Sequence, residues 1–246
     1  MTRLSQPLVD LAGPPLIDFS MLCDDIARQG YGVFRIGQID MLAALRAEAL
    51  QLRDEEALTL AGIGREDGGE IERAIRRDRT RWFDGTSDAQ ARYLAFAEQL
   101  REAVNRELFL GVFSFECHYA LYDEPGAFYR KHVDSFRGKR NRLLSTVLYL
   151  NPDWEPTHGG ALRIYDEQDR MIEDIAPEFG SLAVFLSEEI PHEVLETAKS
   201  RLSIAGWFRC NDRSVSPALQ GQGLPLASTA MDSPTSSWTA DLQRSP

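Results

Sequence analysis

Between residues 113 and 209 the chain is cut into short runs rich in β-branched and aromatic residues: FECHYALY, FYRKHVD, LLSTVLYL, ALRIY, SLAVFL and RLSIAGWF. Gly, Pro, Asn and Asp close them off. Branched and aromatic side chains favour the pleated backbone, and the intervening residues supply turns. Seven or eight strands of this length, so closely spaced, predict two antiparallel sheets packed as a jelly roll.

The preceding stretch has a different texture. Residues 17–29 (IDFSMLCDDIARQ) carry apolar positions at helical spacing, and Gly30 is placed to end a helix. YGVFRI, residues 31–36, alternates like a strand, and residues 40–57 read as an amphipathic helix. GIGREDGGE is a loop by its glycines, residues 71–85 are extended at best, and Ser87 is the expected N-cap of a long helix. After Ser214, 16 of the last 33 residues are Ser, Thr, Pro or Gly without periodicity, which predicts a disordered tail. The expected class is therefore α+β, mainly β: a double-stranded β-helix (residues 111–212) with supporting N-terminal helices and flanking strands (1–110) and a tail (213–246), one catalytic domain in all.

Composition narrows the chemistry. A net charge of −11 argues against nucleic acid as a general partner, because phosphate contacts dominate such binding. No apolar run reaches the roughly 18–20 residues of a membrane helix, and the start MTRLSQPLVD lacks a secretory pattern, so no membrane partner and a cytoplasmic address are expected. Three widely spaced cysteines suit neither a disulfide framework nor a Cys-rich zinc site. Any metal must be held by His118, His132, His158 and His192 with carboxylates. His132 and Asp134 stand two apart in a strand-like run, so their side chains are expected on one face of a sheet. His192 follows SLAVFL, 58 residues beyond Asp134. Two imidazoles and one carboxylate make the facial triad that leaves three positions open on a non-haem iron. Nine residues later Arg201 opens RLSIAGWF. Aimed inward it needs an anion, either an internal carboxylate or a dicarboxylate co-substrate.

The linked pieces LYDEPGAFYRKHVD, RLLSTVLYLN, GGALRI, PHEV and RLSIAGWF stand in the order found in Fe(II)/2-oxoglutarate-dependent prolyl hydroxylases. The chain resembles the group containing the hypoxia-inducible-factor prolyl hydroxylases and their bacterial relatives over roughly residues 70–209. The resemblance implies His132, Asp134 and His192 as iron ligands and Arg201 with Tyr149 as holders of the distal carboxylate of 2-oxoglutarate. It implies Tyr122 near the metal end of that co-substrate and Val147, Leu162, Val194 and Trp207 as apolar lining. Arg76, Asp78, Trp82 and Arg142 fall at its substrate side. Fe(II), 2-oxoglutarate and O₂, with ascorbate as reductant, are the implied requirements. A prolyl residue of a protein, with elongation factor Tu as the acceptor associated with bacterial relatives, is the implied substrate. Two departures stand out: SFRGKRN is one residue longer than the group's pattern, and Ala205 occupies a place where animal enzymes tend to carry a hydroxyl.

Without the resemblance the same residues have plainer readings. Tyr122, Tyr149, Trp154 and Trp207 suit a core, Gly159 and Gly160 an ordinary turn, and His118 a packed histidine. Hydroxylation of a ribosomal protein or an amino acid, a silent cupin-like binding module and a zinc hydrolase are the alternatives. The charge is also uneven. Residues 73–81 hold five Arg and one Asp, and residues 130–142 hold six Lys or Arg and one Asp, against the acidity elsewhere. These segments predict a positive mouth that attracts 2-oxoglutarate and favours an acidic protein substrate, with salt-sensitive capture.

Overall fold

The computed structural model describes residues 17–61, 74–135 and 141–210. Helix α1 (Ser20–Gln29), strand β1 (Tyr31–Arg35), helix α2 (Ile39–Asp54), strands β2 (Thr59–Leu60) and β3 (Arg79–Trp82) and helix α3 (Asp88–Leu108) precede the β-rich region. Strands β4 (Ser114–Tyr122), β5 (Ala127–His132), β6 (Arg142–Tyr149), β7 (Leu162–Tyr165), β8 (Met171–Ile175), β9 (Ser181–Leu186), β10 (His192–Thr197) and β11 (Arg201–Arg209) follow. The helix ends obey the local signals. Gly30 takes φ 82° and returns its N–H to the Ile26 carbonyl, while the Ser87 hydroxyl accepts the Gln90 N–H at the start of α3. The loop GIGREDGGE and the tail beyond Ser214 lie outside the described residues.

Two antiparallel sheets form. The larger runs β1-β9-β6-β11-β4-β3-β2 and the smaller β5-β10-β7-β8, and the fold is mainly β. Alternation along β4 and β11 gives the large sheet two apolar faces. Phe115, Cys117, Tyr119 and Leu121, with Ile204 and Phe208, pack against Leu22, Leu42, Leu45, Phe96 and Leu100 of the helices. Tyr122, Tyr149, Phe185, Leu162, Ile164 and Val194 fill the space between the sheets. The N-terminal segment therefore does more than support the roll, because β1, β2 and β3 extend its large sheet at both edges. Strand β8 carries no apolar alternation, since four of its five residues are exposed on an edge, and so it has no signature in the sequence. No helix among the described residues is long and apolar enough to cross a membrane.

Candidate active site

His132 ends β5 and His192 begins β10, and the two stand opposite each other in the β5–β10 pairing. Asp134 is not a strand residue. It sits in the bend after β5, its N–H donating to the Ser187 carbonyl over 3.2 Å. The strand alternation expected for His132 and Asp134 is thus replaced by a turn that delivers the carboxylate to the same point. His132 Nε2 lies 3.5 Å from Asp134 Oδ1 and His192 Nε2 3.7 Å from Oδ2. One donor atom from each of the three lies within 4.8 Å of the others.

Both imidazoles are oriented by backbone. His132 Nδ1 is 2.7 Å from the Arg130 carbonyl and His192 Nδ1 is 3.0 Å from that of Ile190. A carbonyl only accepts, so each Nδ1 carries the hydrogen and each Nε2 is the ring nitrogen directed at the shared point. Tyr129 stacks on His132 at 3.7 Å between ring centroids. Burial lowers the His192 pKa to about 4 against the pull of Asp134, which keeps the ring neutral. Burial raises Asp134, but His192, His132 and the Ser145 hydroxyl outweigh it and hold the carboxyl well below its usual range.

The same cavity also carries a buried cation. Arg201, 1% exposed, donates through Nε to the Gly160 carbonyl (2.8 Å) and through Nη1 to Ser203 Oγ (3.2 Å), and its Nη2 has no partner. The Gly159-Gly160 turn is specific to this arrangement. Both residues have positive φ, and a Cβ on Gly159 would meet the Glu196 carbonyl oxygen at 2.4 Å. The guanidinium lies 4.9 Å from the Tyr122 ring centroid and 5.1 Å from that of Tyr149. The Tyr149 hydroxyl is also buried without a partner, and burial pushes its pKa up to about 12, so it remains a donor. No carboxylate among the described residues pairs with Arg201. A buried cation with a free N–H beside a free hydroxyl fits a visiting carboxylate.

The cavity, about 540 Å³, is lined by His132, Asp134 and His192, by Arg201, and by Tyr122, Val147, Leu162, Val194 and Trp207. Arg76, Asp78, Trp82 and Arg142 line it too. Trp82 is 45% exposed and marks the mouth.

A profile of the 2OG-Fe(II) oxygenase superfamily matches residues 117–209, which contain all of these ligand and anion-binding positions. A solved prolyl-4-hydroxylase from Pseudomonas putida is 42% identical with a TM-score of 0.71, the match covering 78% of this chain and 98% of that one. The chain belongs to the 2OG-Fe(II) oxygenase superfamily. Among curated proteins, this oxygenase is 36% identical over 91 residues to the prolyl hydroxylase EGLN3 of Homo sapiens. That match covers 36% of this chain and 38% of the relative's length. A Trichoplax adhaerens prolyl hydroxylase in complex with a hypoxia-inducible factor peptide shares the fold at 23% identity, with a TM-score of 0.68 and coverage of 77% and 87%.

The oxygenase's donor set suits the family's metal, since two imidazoles and an ionised carboxylate are ligands for ferrous iron. The orphaned Arg201 and Tyr149 donors likewise suit the far carboxylate of 2-oxoglutarate. The mouth is less simple. Asp78, 1% exposed, takes a bidentate bond from Arg76 (2.8 and 2.6 Å), so its carboxylate is already engaged. Arg142 donates to Glu116 at 2.9 Å and lies 3.8 Å over the Trp207 ring, while Arg209 takes the other Glu116 oxygen at 3.0 Å. The two arginines of the basic segments that line the cavity are therefore both spent on internal carboxylates. Lys131 pairs with Asp169 on the surface. Arg73, Arg137, Lys139 and Arg140 lie outside the described residues.

Three contributors, Glu116, Ser145 and Ser187, escaped the sequence, and a fourth, His118, does more than is expected of it. Glu116 and Ser145 are legible in hindsight, because strand alternation puts Glu116 with Tyr122 and Ser145 with Val147 and Tyr149. Ser187 carried no signal. His118 is buried and packed as its plain reading expects, yet it also lines the cavity. It lies 4.9 Å from the Trp82 ring and 5.5 Å from that of Trp207. Its Nδ1 bonds the Tyr119 carbonyl at 2.9 Å, and burial lowers its pKa to about 4, so a neutral ring faces the cavity.

Proposed function

We propose that this oxygenase hydroxylates a prolyl residue of a protein, using Fe(II), 2-oxoglutarate and O₂ with ascorbate as reductant, in the cytoplasm. The observation that carries the reading is Arg201. A guanidinium buried without an anion is costly, no carboxylate among the described residues relieves it, and the carboxylate of a co-substrate would. A zinc hydrolase has no use for that group, and neither has a silent binding module for a complete ligand set beside it.

His132, Asp134 and His192 would hold the metal, with their Nε2 atoms and carboxylate already aimed. Bound iron supplies the activation of O₂ that splits 2-oxoglutarate into succinate and CO₂ and puts one oxygen atom into an acceptor C–H bond. Arg201 and Tyr149 bind the far carboxylate and so fix the 2-oxo end toward the ligand cluster. Tyr122 packs beside that end. Val147, Leu162, Val194 and Trp207 keep water away from it. Arg76, Asp78, Trp82 and Arg142 border the side from which a peptide enters. A prolyl acceptor is supported by the likeness to the Pseudomonas prolyl-4-hydroxylase and to the prolyl hydroxylase EGLN3. Elongation factor Tu, the acceptor associated with bacterial relatives, is the substrate to test.

Incubation with Fe(II), 2-oxoglutarate, ascorbate and elongation factor Tu should form succinate and add one oxygen atom to a proline, read by mass spectrometry. Undiminished succinate formation by both His132→Ala and Asp134→Ala would overturn the assignment. An unmodified elongation factor beside continuing 2-oxoglutarate consumption would overturn only that acceptor.

A further inference from the structure

Asp134 lies past the last residue of β5, where no strand ladder fixes it, yet its side chain is held by a chain of buried hydroxyls. Ser145 Oγ is 2.6 Å from Asp134 Oδ2, and Ser187 Oγ is 2.8 Å from Ser145 Oγ. Ser145 is 1% exposed and Ser187 0%, so water does not substitute for these contacts. The direction of the chain follows from the carboxylate. Ionised, it accepts only, so Ser145 must donate to it and the Ser145 oxygen must accept from Ser187. Backbone completes the clamp: the Ser187 carbonyl accepts the Asp134 N–H at 3.2 Å, and the Ser187 N–H donates to Leu143 at 3.0 Å.

We propose that Ser187 and Ser145 form a positioning relay that holds Asp134 as a one-oxygen metal ligand. The proposal rests on the metal reading given above. Two imidazoles and a single carboxylate oxygen leave three of six positions for a 2-oxo acid and O₂, whereas a carboxylate chelating through both oxygens would take one of those three. The Ser145 hydroxyl takes one lone pair of Oδ2, which weakens that oxygen as a second ligand and favours Oδ1 for the metal. Neither serine touches the co-substrate's place, so their role is exerted through Asp134.

The test uses Co(II) binding to the metal-free protein, with no turnover involved. Calorimetric titration of Ser145→Ala should show a dissociation constant raised about 10- to 100-fold, the range for outer partners of metal ligands. Infrared spectra of the Co(II) form should show the antisymmetric and symmetric carboxylate bands of Asp134 drawing together, as chelation requires. Ser187→Ala, which leaves the Asp134 contact in place, should shift both readouts the same way by a smaller factor, and it carries the test should Ser145→Ala fail to fold. Wild-type affinity and band separation in the folded variants would overturn the relay while leaving the oxygenase reading intact. Wild-type protein that takes up no Co(II) or Fe(II) would overturn both.

Discussion

Replacing Arg201 by Ala removes, among the described residues, the buried guanidinium of the cavity wall whose Nη2 has no hydrogen-bond partner. A hydrogen bond to a charged group contributes about 1.5–3 kcal/mol, so the dissociation constant of 2-oxoglutarate should rise about 10- to 100-fold. Thermal unfolding reads this without turnover. At 100 times the wild-type dissociation constant, a ligand stabilises its protein by about 2.7 kcal/mol, and a 100-fold weaker site keeps about 0.4 kcal/mol at the same concentration. For a chain of this size, 1 kcal/mol moves the midpoint by about 2–4 °C. The wild type with metal should therefore gain roughly 5–11 °C from 2-oxoglutarate and the variant about 1–2 °C, each measured against its own ligand-free midpoint. Referencing each protein to itself cancels the stability lost with the bonds to Gly160 and Ser203. Arg201→Lys keeps the charge but not the planar fork and should fall between. An undiminished 2-oxoglutarate shift in Arg201→Ala would refute the anchoring argument and, with it, the observation on which the functional reading stands.

Two further outcomes are expected. His118 titrates near 4 in the fold against an ordinary 6.5, so as pH falls the unfolded chain takes up its proton first. Stability present above pH 6.5 is therefore lost between 6.5 and 4, by up to about 1.4 kcal/mol per pH unit from this group. His118→Leu should flatten the denaturation profile in that window, and an unaltered slope would show that the ring is not held neutral. At the mouth, Trp82→Ala should raise KM for the protein acceptor and leave the 2-oxoglutarate requirement unchanged. A change confined to 2-oxoglutarate would move Trp82 away from the acceptor's path.

The salt sensitivity expected from the basic segments needs restating in light of the pairs at the mouth. Arg76 is matched by Asp78, and Glu116 is shared by Arg142 and Arg209, so on the cavity wall Arg201 is left as the cation without a carboxylate among the described residues, and any capture of a protein acceptor depends on the other basic residues. Sequence separation hid this. Arg142 and Glu116 are 26 residues apart and meet because β4 and β6 both border β11.

What the sequence by itself determined is local. Runs of branched and aromatic residues with turn-formers between them dictate short strands, Ser87 and Gly30 set helix ends, and the scarcity of histidine and cysteine leaves few possible ligand sets. Those signals depend on neighbours along the chain and survive without knowledge of the fold. The sequence also supplied the residue types of the site, and the resemblance supplied their order. Only tertiary structure decided their chemical state. That Arg201 lacks an internal anion, that Asp134 reaches the cluster from a bend and is gripped by Ser145 and Ser187, and that His118 faces a cavity are matters of sheet register. Register is fixed by the simultaneous burial of two faces of the large sheet, one against helices and one against the smaller sheet. No segment carries that constraint alone.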